Sequence, residues 1–225
     1  MTPKFIAIMM THNRFDLLER TINSWNKCDN LPPLHIFDDG SDDKVKLMEV
    51  LCKFKEPRPP IQIHNKSNCS KRTRRSISCM FEMLPSLEGV INLNSDMVFN
   101  PNWYTVLMER YEAVQKMDKY LGAISVYNYK GHKPIQSINL NAEGTVRVLR
   151  KQSIGIFGCL VLRHFWSDCI EALNVEGGWE YSMSKLAKGQ NWNMYCTMPS
   201  YVQHTGTKDG VHAHRSVYAR DFIGE

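Results

Sequence analysis

"LHIFDDGSDD", residues 34–43, is a short apolar run that ends in two adjacent acids, a Gly-Ser pair and two further acids. A continuous apolar run of this length, closed by turn residues, is typical of a strand buried on both faces of a sheet. Turn and helix-cap chemistry explains the Gly-Ser-Asp-Asp end. The same chemistry is one explanation of Asp38 and Asp39, but adjacent carboxylates repel each other and no cation follows them until Lys44, which favours a binding role.

Outward from this stretch, the first half of the chain alternates between apolar runs of strand length and amphipathic segments. The predicted strands are "FIAIMM" (5–10), "LHIF" (34–37), "IQIHN" (61–65) and "GVINL" (89–93). The predicted helices are 15–27, a segment after residue 43 with Val45, Met48, Leu51 and Cys52 on one face, and 74–84. This alternation predicts an α/β fold whose parallel sheet is covered by crossover helices.

The second half begins with a long predicted helix, which has Trp103, Leu107, Tyr111 and Val114 on one face. Strand candidates follow at 122–127, 136–140, 145–149 and 156–162, and helices at 164–173 and 177–189. No repeat or linker divides the chain. We therefore expect one domain over residues 1–225.

The composition of the 225 residues, 43% hydrophobic and 23% charged, is that of a soluble globular protein. No apolar run approaches the roughly 18 residues that a membrane span needs. The opening "MTPKFIAIMM" predicts a buried strand and not a signal peptide. The seven cysteines include no C-x-x-C pair, which argues against zinc and disulfides and fits a reducing compartment. We therefore predict a cytoplasmic protein with no membrane partner.

The net charge of +5 is unevenly spread, because "SKRTRRS" (70–76) holds four cations within five residues. Two interpretations stay open at this point. The run is either a solvated helix face or an anion site for phosphate or nucleic acid.

Polar residues follow each of the first four predicted strands. They are Thr11, His12, Asn13 and Arg14 after the first, Asp38 and Asp39 after the second, Asn65 and Asn68 after the third, and Asn94, Ser95 and Asp96 after the fourth. In an open α/β sheet, ligands bind at the carboxyl ends of the strands. The sequence therefore predicts one binding site to which Asp38 and Asp39 belong.

Four motifs in this order resemble the nucleotide-binding half of the GT-A glycosyltransferases, most closely glycosyltransferase family 2. They are "FIAIMMTHNRFDLLERTINSW", "LHIFDDGSDD", "SKRTRRSIS" and "VINLNSDMVFNPNW". The resemblance covers about residues 4–105 and continues more loosely through "GGWEYSMSKLAKG" and "PSYVQHTG". It implies a GT-A (Rossmann-like) three-layer α/β/α sandwich with a mostly parallel central sheet. It also implies a nucleotide-sugar-binding half over about residues 1–100 and an acceptor-binding half over about residues 101–225. The implied reaction is transfer of a sugar from a nucleotide sugar to a hydroxyl, with inversion.

The resemblance also implies a set of residues that bind the donor nucleotide. They are Thr11, Asn13, Arg14, Asp38, Asp39, Arg72 and Ser95. A carboxylate at Asp38 or Asp39 would accept the imide N–H of a uracil-like base, in a hydrogen bond strengthened by the charge. A UDP-sugar is therefore the expected donor.

Asn94-Ser95-Asp96 stands where the family has its Asp-x-Asp motif, which holds Mn²⁺ or Mg²⁺ against the diphosphate. Oxygen ligands suit these cations, and the cation neutralises the leaving diphosphate. Asn94 departs from the motif, because its amide offers an oxygen without a charge. Asp96 is therefore the expected principal ligand, and the resemblance adds His204 as a further one.

In the second half, the resemblance places the general base at Glu180 and acceptor contacts at Trp179 and Tyr181. Glu180 would take a proton from the acceptor hydroxyl during its attack on the anomeric carbon. An alternative explanation stays open, because an acid in the first turn of a helix is also favoured by the helix dipole.

The motifs do not identify the acceptor. The small size and the basic charge fit a hydroxymethylated pyrimidine in phage DNA, which would have to be flipped out of the duplex. A surface glycan or lipid-linked sugar is the alternative. A non-catalytic nucleic-acid-binding module is disfavoured, because Asp38, Asp39 and Asp96 would repel phosphate. A nucleotidyltransferase is disfavoured because "THNR" lacks a Gly-rich loop.

Overall fold

The computed structural model describes residues 3–66, 69–170, 179–206, 219 and 221–224. The strands are β1 (Phe5–Thr11), β2 (Leu34–Asp38), β3 (Ile61–Ile63), β4 (Gly89–Asn94), β5 (Met97–Phe99), β6 (Leu121–Ser125), β7 (Pro134–Asn139), β8 (Arg147–Lys151), β9 (Cys159–Leu162), β10 (Asn193–Met198) and β11 (Val202–His204). The helices are α1 (Phe15–Trp25), α2 (Lys44–Leu51), α3 (Cys69–Met83), α4 (Trp103–Met117), α5 (Arg163–Cys169) and α6 (Trp179–Gly189).

Nine strands form one sheet in the order β3-β2-β1-β4-β9-β6-β10-β8-β7. β1 pairs in parallel with β2 and β4, β2 with β3, and β6 with β10. Only β9 and β8, of the strands in this sheet, run against the rest. The prediction of a mostly parallel sheet is therefore confirmed. The carboxyl ends of β1, β2, β3, β4, β6 and β10 lie along one side, which we call the carboxyl edge.

Helices cover both faces of the sheet and make the three-layer sandwich. Alternate residues of β1 point to opposite faces, so that Ala7 and Met9 join one core and Ile6 and Ile8 join the other. The first core takes apolar residues from α1, α2 and α4, and the second takes them from α3, α5 and α6. Because both of their faces are buried, β1, β2 and β4 have the continuous apolar sequences from which they were predicted.

A second, two-stranded sheet pairs β5 with β11 in antiparallel fashion, with His204 opposite Met97. Beyond the ladder, the backbone carbonyl of Asp96 accepts hydrogen bonds from the N–H and the hydroxyl of Thr205, at 2.8 and 3.0 Å. These bonds join a late segment of the chain to the residues that follow β4.

The sequence-based boundaries differ from the structure in several places. β5, β10 and β11 were not predicted, and α3 begins at Cys69 instead of residue 74. Of the predicted apolar face of α2, Leu51 is buried, but Val45 is 71% exposed, and Leu47 and Val50 are buried instead. The side chain of Asp43 caps α2 by accepting from the N–H of Lys46 at 2.9 Å. No helix in the described ranges is long and apolar enough to cross a membrane.

Candidate functional site

The turn after β1 contains two consecutive non-glycine residues in the left-handed region, Asn13 (φ 51°) and Arg14 (φ 53°). Such backbone is unfavourable for L-residues and persists where contacts hold it. Here the N–H of Asn13 donates to the hydroxyl of Ser41 at 2.8 Å. The Asn13 side chain donates to the Asp42 carboxylate at 2.8 Å and accepts from the Asp42 N–H at 2.9 Å. Asn13 therefore joins the loops after β1 and β2, and its predicted contact with a nucleotide stays a prediction.

Asp38 is fully buried, and its own loop occupies its carboxylate. One oxygen accepts from the N–H groups of Gly40 and Ser41 at 3.2 and 2.9 Å and from Nζ of Lys44 at 2.8 Å. The other accepts from the hydroxyl of Ser41. Burial alone would raise the pKa of Asp38, but the hydrogen bonds from Lys44 and Ser41 outweigh it and lower the pKa. The contacts of Asp38 are those of a structural residue.

Asp39 points to a different environment. Its Oδ1 accepts from Nε of Arg72 at 3.1 Å, and the same guanidinium donates to the backbone carbonyl of Asn65 at 3.0 Å. The N–H of Asp39 donates to the carbonyl of Thr11 at 2.8 Å, which fixes the carboxylate at the carboxyl edge. The structure thus brings together Asp39, Arg72 and the end of β1, as the sequence predicted.

His64, predicted from the sequence to be a structural histidine, follows β3 beside this ion pair. Its ring lies parallel to that of Phe37, with 6.2 Å between the ring centroids. Burial, and then the charge of Arg72, lower its pKa, so that the neutral imidazole is favoured.

Asp96 lies after β4 and is only 5% exposed. Its Oδ2 accepts from Nη1 of Arg14 at 2.8 Å and faces Nε2 of His204 at 3.1 Å. Burial alone would raise the pKa of Asp96, but the contacts with His204 and Arg14 outweigh it and lower the pKa. Asp96 is therefore an ionised carboxylate held at the carboxyl edge.

Phe157 and Gly206 fix the arrangement of Asp96, Arg14 and His204. The His204 ring stacks on Phe157 with the centroids 4.2 Å apart. The carbonyl of Gly206 accepts from Nη2 of Arg14 at 2.8 Å. A Cβ at Gly206 would overlap the carboxylate of Asp96 and the guanidinium of Arg14, so that any other residue there requires these side chains or the backbone to move.

Buried polar atoms without a hydrogen-bond partner concentrate at the carboxyl edge. Eleven side chains in the described ranges have such an atom, and six of them flank this site: Thr11 Oγ1, His12 Nδ1, Arg14 Nε, His64 Nε2, Asp96 Oδ1 and His204 Nδ1. Native proteins pair nearly all buried polar groups, since an unpaired one costs about 1–3 kcal/mol. Such a concentration indicates a site for a polar ligand.

The donor atoms at Asp96 and His204 fit a divalent cation. A carboxylate oxygen and an imidazole nitrogen together suit Mn²⁺, and carboxylate oxygen also suits Mg²⁺. Within the described part of the chain, no three His, Cys, Asp or Glu residues converge as a complete metal site. The remaining coordination would thus come from Asn94, at the end of β4, from water and from the ligand. Ser95 is buried, and its N–H donates to the carbonyl of Met10 at 3.1 Å.

The predicted acceptor residues, Trp179, Glu180 and Tyr181, lie in the first turn of α6. Their side chains are outside the residues whose surroundings the structure describes, and their roles stay predictions. The explanation of Glu180 as an acid favoured by the helix dipole also stays open.

Lys44, Phe157 and Thr205 complete the site together with Gly206, and sequence reasoning gave the first three no role. The sequence "HTG" (204–206) carried a signal for Gly206, because a glycine beside a predicted ligand often marks a close backbone approach. Phe157 carried none, since an aromatic residue in a loop is not distinguished from a core residue.

Comparisons with known proteins identify the fold class. No protein-family model and no curated protein matches the chain. Among solved structures, the crystal structure of GalNAc-T7 with UDP, GalNAc and Mn²⁺ superposes with a TM-score of 0.61 at 15% identity. S. aureus TarS 1-349 superposes with a TM-score of 0.53 at 13% identity. The matches cover 89% and 92% of this chain, but only 43% and 62% of those two chains.

The fold is therefore the GT-A fold, which both of these glycosyltransferases have. At such low identity the likeness shows the fold alone, and membership of family 2 stays a prediction.

Proposed function

We propose that the protein is a glycosyltransferase that transfers a sugar from a nucleotide-sugar donor to an acceptor hydroxyl. The observation that carries the proposal is the concentration of unpaired buried polar atoms at the carboxyl edge, where the ionised Asp96 also lies. A site of this kind needs a polar ligand, and the carboxyl ends of parallel strands are where α/β folds bind nucleotides. The GT-A fold supports the same function.

We propose that the donor is a UDP-sugar. Asp39 accepts the imide N–H of the base through its carboxylate, which Arg72 orients by their 3.1 Å ion pair. Thr11 is 3% exposed and its hydroxyl is unpaired, so it supplies a further polar contact next to Asp39. The GalNAc-T7 structure contains UDP, which supports this choice of base.

Asp96 and His204, with the Asn94 amide, are the residues proposed to hold Mn²⁺ or Mg²⁺. When bound, the ion neutralises the diphosphate of the donor as it leaves. Asp96 supplies a charged oxygen whose lowered pKa keeps it ionised at neutral pH. Phe157 fixes the ring of His204 by stacking on it.

In the acceptor half, Glu180 is proposed to take the proton of the attacking hydroxyl, and Trp179 and Tyr181 to bind the acceptor. The transfer would then proceed with inversion, by direct attack on the anomeric carbon. Because α6 begins at Trp179, all three residues belong to one helical turn.

The acceptor class is to be decided by experiment. A hydroxymethylated DNA acceptor remains the proposal from the basic charge, with a surface glycan or lipid-linked sugar as its alternative. The basic run is part of α3, where Arg72 contacts Asp39, and Lys71 and Arg74 also have partners. The run therefore adds no separate support for nucleic acid. The six free thiols among the described cysteines agree with the proposed cytoplasmic location.

The test measures binding of UDP, GDP and CDP with Mn²⁺ by calorimetry, followed by release of UDP from a panel of UDP-sugars. Asp96→Asn is compared with Asp29→Asn, which changes an exposed aspartate in the loop after α1. We expect UDP to bind best, and UDP release to require Asp96 but not Asp29. Absence of binding and release with every nucleotide would overturn the proposed function.

The same assay decides the acceptor when hydroxymethylated DNA or oligosaccharides are added. Release of UDP that DNA stimulates and that falls steeply with rising salt supports a DNA acceptor. Release of UDP that an oligosaccharide stimulates without that salt dependence supports a glycan acceptor.

A further inference from the structure

The geometry points to a role for Arg14 that sequence and fold do not assign: its guanidinium competes with the divalent cation for Asp96. The protein consequently binds the cation tightly only together with the nucleotide diphosphate. This inference rests on the proposed function and makes Arg14 a positioning residue of the same site.

The contacts of Arg14 place its charge at the carboxylate that would ligate the cation. Nη1 of Arg14 is 2.8 Å from Oδ2 of Asp96, and Nη2 is 2.8 Å from the carbonyl of Gly206. His204 faces the same Oδ2 at 3.1 Å. The two groups predicted to ligate the cation thus meet at an oxygen that a guanidinium already contacts.

The charge balance gives the competition its direction. Asp96 brings one negative charge to the cluster, and Asn94, in place of the usual acid, brings none. The charge of Arg14 already balances that of Asp96, so a divalent cation would add an excess of positive charge in a poorly solvated place. A diphosphate brings the negative charges that both the cation and Arg14 then require.

Arg14 is the member of the cluster that is able to change partner. Its side chain is 30% exposed, against 7% for Asp96 and 10% for His204. Its Nε has no hydrogen-bond partner, and its side chain makes no capping bond at the start of α1. The guanidinium can therefore turn from Asp96 to a phosphate oxygen, with which it forms strong forked hydrogen bonds.

A purely structural ion pair predicts a different outcome. If Arg14 serves only to connect the Gly206 carbonyl to Asp96, its removal should disorder Asp96 and His204 and weaken the binding of the cation. If Arg14 competes with the cation, its removal should strengthen that binding in the absence of nucleotide. The sign of the change in Mn²⁺ affinity separates the two roles.

The experiment titrates Mn²⁺ into the full chain, with and without UDP, and follows free Mn²⁺ by electron paramagnetic resonance. Wild type is compared with Arg14→Gln, Arg14→Lys and the control Arg20→Gln, which changes an exposed arginine of α1. Thermal melts verify that each variant is folded. We expect Arg14→Gln to bind Mn²⁺ alone about tenfold more tightly than wild type, and UDP to tighten Mn²⁺ binding less than in wild type.

Arg20→Gln should behave like wild type. Unchanged or weaker Mn²⁺ binding by a folded Arg14→Gln protein that still binds UDP overturns the inference and leaves the proposed function intact. If Arg14→Gln does not fold, Arg14→Lys decides by the same criterion, since lysine lacks the forked geometry and should also release Asp96 more readily. UDP binding without Mn²⁺ binding in every protein also overturns the inference. Absence of UDP binding in every protein overturns the proposed function itself.

Discussion

Two adjacent aspartates at the end of β2 have separate tasks because an extended chain points neighbouring side chains in opposite directions. Asp38 turns back into its own loop, where Gly40, Ser41 and Lys44 occupy its oxygens. Asp39 points to Arg72 and the end of β1. The sequence could place both acids at a binding edge, but it could not decide between them, because the choice depends on the hydrogen bonds of the folded loop.

Substitution of each aspartate by asparagine should separate these tasks. Asp38→Asn should lower the free energy of unfolding by about 2–3 kcal/mol, because it removes the charge that several buried hydrogen bonds share. Asp39→Asn should cost less stability but weaken UDP binding by about ten- to a hundredfold, through loss of a charge-assisted hydrogen bond. Urea unfolding and calorimetry measure the two effects. The reverse pattern would mean that Asp38 binds the base.

The lowered pKa of Asp38 makes a second prediction, about pH. A carboxyl whose pKa is lower in the folded than in the unfolded chain stabilises the fold fully above the unfolded value, here near 3.8. That stability is lost as the pH falls through the folded value. The free energy of unfolding, measured in urea, should therefore fall more steeply for wild type than for Asp38→Asn as the pH decreases below about 4. Parallel pH profiles would contradict the lowered pKa.

The short sheet of β5 and β11 brings Asp96 and His204, the two proposed cation ligands, together from positions 108 residues apart in the chain. Each strand has only three residues, which is too short for a recognisable periodicity. β1, β2 and β4 were predictable because they are buried on both faces, whereas β3 lies at the edge of the sheet with Ile63 46% exposed. The pairing of β11 with β5 was not predictable, and only the family resemblance gave His204 a role.

A substitution at Gly206 tests the importance of the pairing of β11 with β5. A methyl group at Gly206 would meet Asp96 and Arg14, so Gly206→Ala should push the end of β11 away from Asp96. We expect the affinity for Mn²⁺ in the presence of UDP to fall at least about tenfold, since ligand geometry sets metal affinity. Gly189→Ala is the matched control, because nothing lies within 4 Å of its added Cβ. Equal affinities in the two variants would show that the site tolerates the displacement.

Both halves of the chain contribute strands to one sheet. In the second half, a polar network joins Asp221, near the C-terminus, to residues from β8 and from the loops after β6 and β10. Lys151 is 4% exposed and donates to Asn128 at 2.6 Å. Asn128 and Ser200 donate to the carboxylate of Asp221 at 2.8 and 2.6 Å. Nothing in the sequence marked these residues, because each is an ordinary polar residue whose partner is fixed only by the folded chain.

Asp221 should therefore contribute more to stability than its position near the C-terminus suggests. Asp221→Ala removes the acceptor of two hydrogen bonds and leaves unpaired donors on the half-buried Asn128 and the buried Ser200. The expected loss is about 2–4 kcal/mol in the free energy of unfolding, from two such groups.

Asp42→Ala is a comparison at an exposed aspartate that also accepts one side-chain hydrogen bond, from Asn13, and its loss should stay below about 1 kcal/mol. Urea unfolding of the two variants measures the difference. A cost for Asp221→Ala no greater than that for Asp42→Ala would mean that the C-terminal segment is held by its backbone contacts alone, such as the bond from the N–H of Ile223 to the carbonyl of Ser200.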